Sequence, residues 1–188
     1  CTGVFSESSP CHPSTAYGIS KLASTELLKA YGPRKNISIR VARIFGVYGP
    51  GESPQRLFPS LYSQLSAYLP VQLSDGMQRR DFVHVDDVCQ GLIRLALLSD
   101  VAPLILNIGT GKAPRVRDVC QWAALSMGVD ERLLQFGSRP RSPGDADILQ
   151  ANTELMTSRL EWVPQHRLNS SMDFKQLMTA DIIESAFA

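Results

Sequence analysis

Tyr17 and Lys21 are the residues whose types and spacing point first to chemistry. They stand four apart in Ser14-Thr15-Ala16-Tyr17-Gly18-Ile19-Ser20-Lys21. On a helix that spacing puts both on one face, with Cβ atoms roughly 6 Å apart. A cation so close favours the phenolate and lowers the tyrosine pKa. A tyrosine tuned toward neutral pH can exchange a proton with a sugar or alcohol hydroxyl while hydride moves elsewhere. Taken alone the spacing is weak, because Tyr and Lys fall four apart by chance in many helices and a packed Tyr beside a solvated Lys is the ordinary outcome.

The elements that must position this pair are legible around it. Ser14 or Thr15 supplies an N-cap oxygen. The helix runs through Leu22, Ala23, Leu27 and Leu28 to Gly32-Pro33, a helix-ending pair. Residues 36–45 alternate at Ile37, Ile39 and Val41, which predicts a strand. Gly46-Val47-Tyr48-Gly49-Pro50-Gly51 then reads as a loop. Helix followed by buried strand implies a βαβ arrangement with a parallel sheet. In such sheets ligands lie beyond the carboxyl ends of the strands, where this Gly-rich loop falls.

Further along, residues 54–69 carry a helical stripe of Leu57, Leu61, Leu65 and Tyr68, with Tyr62 and Tyr68 expected in or beside the core. Asp75-Gly76 is a turn, and Phe82, Val83 and Val85 form a short extended piece. Asp86 or Asp87 is expected to cap the next helix. His84, Asp86 and Asp87 invite a metal reading, which a capping aspartate and the want of further ligands argue against. Residues 104–108 predict a buried strand ending in Gly109-Thr110-Gly111-Lys112, which matches neither a Walker A loop nor a G-x-G-x-x-G fingerprint. A helix is expected over 116–127, stopped by Gly128. Arg139 and Arg141 lie in an irregular Pro/Gly loop suited either to a fork-shaped grip on phosphate or to simple exposure. A short helix covers 152–160, and the tail from Ser170 predicts a last one.

Composition narrows the classes. The chain has 188 residues, 44% hydrophobic and 20% charged, which fits a globular protein with a substantial core. A net charge of +1 gives no electrostatic case for nucleic acid or an anionic membrane surface. The longest apolar run, 88–98, is too short to span a bilayer. The four cysteines, Cys1, Cys11, Cys89 and Cys120, lack zinc-ligand spacing and read as reduced thiols of a cytoplasmic protein. The opening Cys1-Thr2-Gly3 reads as the middle of a longer protein.

Six segments taken in order carry a resemblance. They are Tyr17-Gly-Ile-Ser-Lys21, Arg43-Ile-Phe-Gly-Val-Tyr-Gly-Pro-Gly51, Asp75-Gly-Met-Gln-Arg-Arg-Asp-Phe-Val-His-Val-Asp-Asp87, Asn107-Ile-Gly-Thr-Gly111, Arg141-Ser-Pro-Gly-Asp145 and Leu160-Glu-Trp-Val-Pro164. Over residues 1–164 the chain resembles the extended short-chain dehydrogenase/reductases, in their NAD-dependent nucleotide-sugar epimerase/dehydratase branch. The resemblance implies an α/β fold: the rear half of a Rossmann-like parallel sheet in residues 1–50, and mainly a smaller α/β substrate-binding domain in residues 51–188, with room for strands that return to the sheet. It implies Tyr17 as acid/base and Lys21 as the group that holds the nicotinamide ribose of NAD or NADP. Phe45 would lie against the nicotinamide end, Gly46 at a substrate contact, and Arg80 and Arg141 on the diphosphate of a nucleotide sugar. Many members have Asn where this chain has Gly46, which leaves the sugar open.

The implied reaction is epimerisation or keto-sugar reduction, with 4,6-dehydration as the alternative; a homodimer built on the Tyr/Lys helix is the implied assembly. Dehydratases carry an Asp-Glu pair beside an upstream Ser/Thr, about 25 residues before the tyrosine. The pyrophosphate-binding turn is likewise expected ahead of Cys1, so this stretch alone is expected to bind NAD weakly or not at all. A non-catalytic binding module or an inactive fragment is the reading from another class.

Overall fold

In the computed structural model, which describes residues 2–99, 102–168 and 173–178, the chain folds as an α/β protein. Helix α1 spans Ala16–Tyr31, and the Thr15 hydroxyl caps it by accepting from the Gly18 amide at 3.1 Å. None of its sixteen residues is buried, although Ile19, Leu27, Leu28 and Tyr31 are all exposed apolar groups along it.

Strand β2, Arg40–Ile44, is shorter than its sequence pattern suggests. Residues 33–35 form a 3-10 turn and Asn36 adopts a left-handed conformation (φ 54°), so extended pairing begins only at Arg40. From there β2 runs parallel to β7, Leu104–Ile108, in register Arg40↔Leu104 through Ile44↔Ile108. The glycine-rich segment expected to be a loop begins as a strand instead. Gly46–Tyr48, β3, pairs parallel with β6, Phe82–His84.

That β3–β6 ribbon is the wall between two hydrophobic cores. Successive strand residues face opposite sides. Val47 and Val83 therefore face a core of Leu106, Ile108, Val88, Leu95, Met156 and Leu160, contributed by β7, helix α3 (Val85–Ala96) and helix α5 (Glu154–Leu160). Tyr48 and Phe82 face the other core. There Tyr48 stacks on Phe58 at 4.9 Å, and Phe58 meets Phe82 edge-on at 4.9 Å. Helix α2 (Leu57–Ser66) brings Phe58, Leu61 and Leu65, and helix α4 (Val116–Ser126) brings Val119, Cys120, Ala123 and Ala124. Burial pushes the Cys120 thiol up to about 12.

Tyr62 packs half-buried against this core, but Tyr68 is 73% exposed with φ 56°, beyond the end of α2. The stripe ends at Leu65 because the helix does. Three more parallel pairings complete the described sheets. β4 (Val71–Leu73) joins β8 (Leu134–Phe136), and β9 (Ile148–Ala151) lies between β1 (Gly3–Phe5) and β5 (Arg79–Arg80). Of the helix expected from Ser170, Phe174–Met178 is observed; residues 169–172 and 179–188 lie outside the described residues.

Candidate active site

Tyr17 lies in the first turn of α1, 73% exposed, with the Lys21 ammonium 5.4 Å from its ring centroid. The loop leading to this turn is tied to the sheet by Asn107. Its side-chain amide donates to the Phe5 carbonyl at 2.8 Å and to the Asn152 carbonyl at 3.2 Å, and its backbone N–H donates to Glu7 Oε1 at 2.8 Å. Arg43 adds a bond to the Glu7 carbonyl at 2.8 Å. The polar residues of β2 and β7 thus anchor the approach to the Tyr/Lys helix.

Phe45 is half-buried at the carboxyl end of β2, its N–H bonded to the Ile108 carbonyl at 3.0 Å. Gly46 follows. A Cβ there would lie 3.0 Å from both the Asp81 carbonyl and Phe82 Cδ1, so β3 and β6 approach closely enough that a side chain must displace Phe82.

Gly46 and Arg80 share a cavity of about 370 Å³. Its lining combines apolar Phe58, Phe82 and Val116 with the charged Arg56, Arg139 and Glu52. Arg141 is joined to Arg80 through Asp145. Arg80 Nη2 bonds one carboxylate oxygen, while Arg141 Nε lies 3.8 Å from the other. Arg141 also donates to Asp147 at 2.9 Å and to the carbonyls of Asp145 and Ala146 at 3.2 Å each. The two arginines are therefore brought together, while Tyr17, Lys21, Phe45 and Arg141 do not line the cavity. A larger cavity of about 480 Å³ lies between the 110–114 loop and residues 163–168, and holds none of the six site residues expected from sequence.

The residue that sequence reasoning missed is Asp81. It is 1% exposed, and its carboxylate accepts four hydrogen bonds. They come from the Thr110 N–H and hydroxyl (2.8 and 2.6 Å), the Gly111 N–H (2.9 Å) and the Ala151 N–H (3.1 Å). Gly109 is needed beside it, since a Cβ there would fall 2.8 Å from Ala151 Cβ and 3.1 Å from Asp81 Oδ2. Arg-Asp-Phe-Val and Asn-Ile-Gly-Thr-Gly are thus two halves of one joint. That they come as a pair was the signal.

The helix after β6 is capped differently from expectation. His84, not an aspartate, is the N-cap of α3, its Nδ1 accepting from the Asp86 N–H at 3.3 Å. Asp87 is buried and accepts from the backbone N–H groups of Gln165 and His166 at 2.9 Å each. The fold does bring a further potential metal ligand, as His84, Asp86 and His166 offer atoms within 4.8 Å of one another. The geometry still argues against a metal. The two imidazoles stack at 4.2 Å and 23°, so lone pairs lying in the ring planes do not converge on one point about 2 Å from each nitrogen.

Burial and the neighbouring His166 hold the His84 pKa below its usual 6.5, against opposing pulls from Asp86, the Leu177 carbonyl and Asp87. As pH falls through 6.5 the unfolded chain takes the proton first, so folding stability drops on acidification. The thermal midpoint is expected to fall between about pH 7.5 and about pH 5.5, and His84→Asn, which keeps a capping acceptor, to flatten that slope.

The NAD dependent epimerase/dehydratase family model matches residues 2–109. The chain belongs to this family. Among its relatives, a dTDP-L-rhamnose 4-epimerase of Burkholderia thailandensis is 28% identical over 179 residues, 92% of this chain and 48% of the relative. A dTDP-glucose 4,6-dehydratase of an Actinoplanes species is 32% identical over 142 residues, 75% of this chain and 41% of the relative. Among solved structures, MoeE5 in complex with UDP-glucuronic acid and NAD is 32% identical with a TM-score of 0.81, covering 89% of this chain and 56% of that one. This epimerase/dehydratase chain spans about half the length of the curated relatives it matches. Among the described residues no helix is long and apolar enough to cross a membrane.

Proposed function

We propose that this chain is the rear, substrate-binding part of an NAD(P)-dependent nucleotide-sugar epimerase or keto-sugar reductase. The observation that carries this reading is the cavity beside β3 and β5. It pairs apolar lining residues with Arg80 and Arg139, and Arg141 is tied to Arg80 through Asp145. Such a wall suits a nucleotide base on the apolar side and a diphosphate on the guanidinium forks. The relatives' names, and the UDP-glucuronic acid and NAD held by MoeE5, support the same substrate and cofactor.

The residues present fit the cofactor. Lys21 has no carboxylate partner among the described residues, so its ammonium is available to ribose hydroxyls, and Phe45 offers an apolar surface at the end of β2. A bound nicotinamide supplies the site that accepts and returns hydride. Tyr17 takes the proton of the sugar hydroxyl and gives it back, Lys21 holds the ribose, and Gly46 contacts the substrate from the cavity lining. With the cofactor bound, Tyr17 would take the hydroxyl proton and return it to the ketone oxygen on the way to the epimer; in net reduction of a keto-sugar, with NAD(P)H consumed as co-substrate, Tyr17 would act as proton donor alone. The dehydratase among the relatives supports 4,6-dehydration as the second reading.

Residues 1–50 are proposed as part of the dinucleotide-binding domain and residues 51–188 as mainly the substrate domain. The exposed apolar groups of α1 are proposed to be covered by the rest of the parent protein and by a second copy of it. The thiols of Cys11, Cys89 and Cys120 are free, which supports a cytoplasmic setting.

The test is nucleotide-sugar binding by calorimetry. Arg141→Ala and Arg80→Ala are expected to weaken UDP-glucose roughly 10-fold or more each, as lost charge-assisted bonds do, and to leave NAD affinity of the complete protein within a factor of about two. Equal losses for sugar nucleotide and NAD remove the diphosphate role.

A further inference from the structure

Two residues that line the 370 Å³ cavity each carry a buried side-chain oxygen with no donor among the described residues: Glu52 Oε2 and Gln78 Oε1. The Glu52 side chain is only 13% exposed. Its other oxygen lies 3.6 Å from Nε of Arg56, whose own side chain is 69% exposed. The Gln78 backbone is fixed, its carbonyl accepting from the Val116 N–H at 2.9 Å, and its amide nitrogen donates to the Ser74 hydroxyl at 3.3 Å. Buried polar atoms are nearly always paired, and those that are not call for an explanation.

Charge separates the possible explanations. Glu52 is the one carboxylate among the lining residues, against three arginines, Arg56, Arg80 and Arg139. A carboxylate in a wall that receives phosphate repels it, so Glu52 does not serve the phosphates. It forms no close ion pair with Arg80 or Arg139 among the described contacts either. What a pair of donor-less acceptors does suit is a group rich in O–H or N–H.

We propose that Glu52 and Gln78 form an acceptor subsite that takes hydroxyl or amino donors of the bound nucleotide sugar and selects among such ligands. The inference rests on the nucleotide-sugar reading above. It divides the cavity into a guanidinium end for the diphosphate and an acceptor end for donors, which come either from the base or from the sugar. Desolvation, which raises the Glu52 pKa against the lowering pull of Arg56, fits a carboxylate waiting for donors that the fold does not supply.

The experiment titrates UDP, dTDP and GDP, each with and without an attached glucose, into the wild-type protein and into Glu52→Leu, Glu52→Gln and Arg80→Ala. Glu52→Leu is expected to lose about 10- to 100-fold in affinity for the preferred ligand. Glu52→Gln, which keeps a carbonyl acceptor, is expected to recover part of it. A loss confined to the glucose conjugates assigns the donors to the sugar; the same loss for free diphosphates assigns them to the base. The thermal midpoint of Glu52→Leu is expected to stay level or rise, because the variant removes a buried acceptor without a donor. Unchanged affinity for every ligand in Glu52→Leu, with Arg80→Ala still weakened, overturns the subsite and leaves the nucleotide-sugar reading standing. A lowered midpoint with uniform losses shows a structural role and also overturns it. Failure of the wild-type protein to bind any of the six ligands overturns both.

Discussion

Tyr17→Phe in the complete protein is expected to lower turnover of a nucleotide sugar by roughly 10²- to 10⁴-fold, the usual contribution of one positioned acid/base. The variant keeps the ring and removes only the hydroxyl. Because the ring and its contacts are kept, the change costs little packing, and the melting midpoint should move little. Affinities for NAD and for the nucleotide sugar should stay within a factor of about three, since the lost group acts on the proton in flight and binds the ground state weakly. Single-turnover absorbance of the reduced cofactor separates the chemical step from product release. Turnover that survives the substitution at near wild-type rate removes Tyr17 from the acid/base role. A parallel loss of affinity would instead make it a binding residue.

What the sequence revealed, and what it hid, divides along physical lines. Local signals were dependable. Thr15 caps α1 and Gly32 closes it, as side-chain and backbone chemistry within one turn dictates. The inward set Val119, Cys120, Ala123 and Ala124 is the buried face of α4, because a 3.6-residue period needs no knowledge of the partner. Tertiary pairing was not legible. Gly46-Val47-Tyr48 read as a loop from its neighbouring glycines, yet β6 turns it into a strand. Tyr68 completed a leucine stripe on paper, but the helix stops before reaching it. Asp86 and Asp87 looked like caps; the histidine before them takes that position, and Asp87 is bound to a segment 78 residues away.

The candidate site followed the same division. Tyr17 with Lys21 was visible as spacing on one helix, Arg141 as one of two arginines in a Pro/Gly loop, and Arg80 only as a match to a family pattern. That Asp145 joins those two arginines depends on a loop 65 residues beyond Arg80 folding back over β5. The donor-less oxygens of Glu52 and Gln78 could not be inferred from the chain at all, since an unpaired atom is defined by everything that fails to reach it.

Asp81 is where the largest loss of stability is expected. Its carboxylate receives three backbone N–H groups and one hydroxyl at 1% exposure, and it links β7, through the Gly109-Thr110-Gly111 loop, to β9. Asp81→Asn keeps the size but replaces one acceptor oxygen with a donor. Whichever way the amide turns, an NH₂ faces N–H groups that then have no acceptor. Charge-assisted bonds and stranded buried donors of this kind put the cost at about 3–5 kcal/mol. That is a large share of the roughly 5–15 kcal/mol by which a typical domain is stable. Denaturant unfolding gives the number directly, and hydrogen exchange should show the Thr110, Gly111 and Ala151 amides losing protection first. Thr110→Val, which removes only the 2.6 Å hydroxyl bond, is expected to cost about 1–2 kcal/mol. A change below about 1 kcal/mol in Asp81→Asn would mean that the joint is held elsewhere. The effect should also reach the ligand. Arg80 immediately precedes Asp81, whose own N–H is fixed to the Leu149 carbonyl at 2.9 Å, so a loosened joint moves the guanidinium out of the cavity wall. In Asp81→Asn, nucleotide-sugar affinity should therefore fall together with stability, whereas in Arg80→Ala it should fall alone.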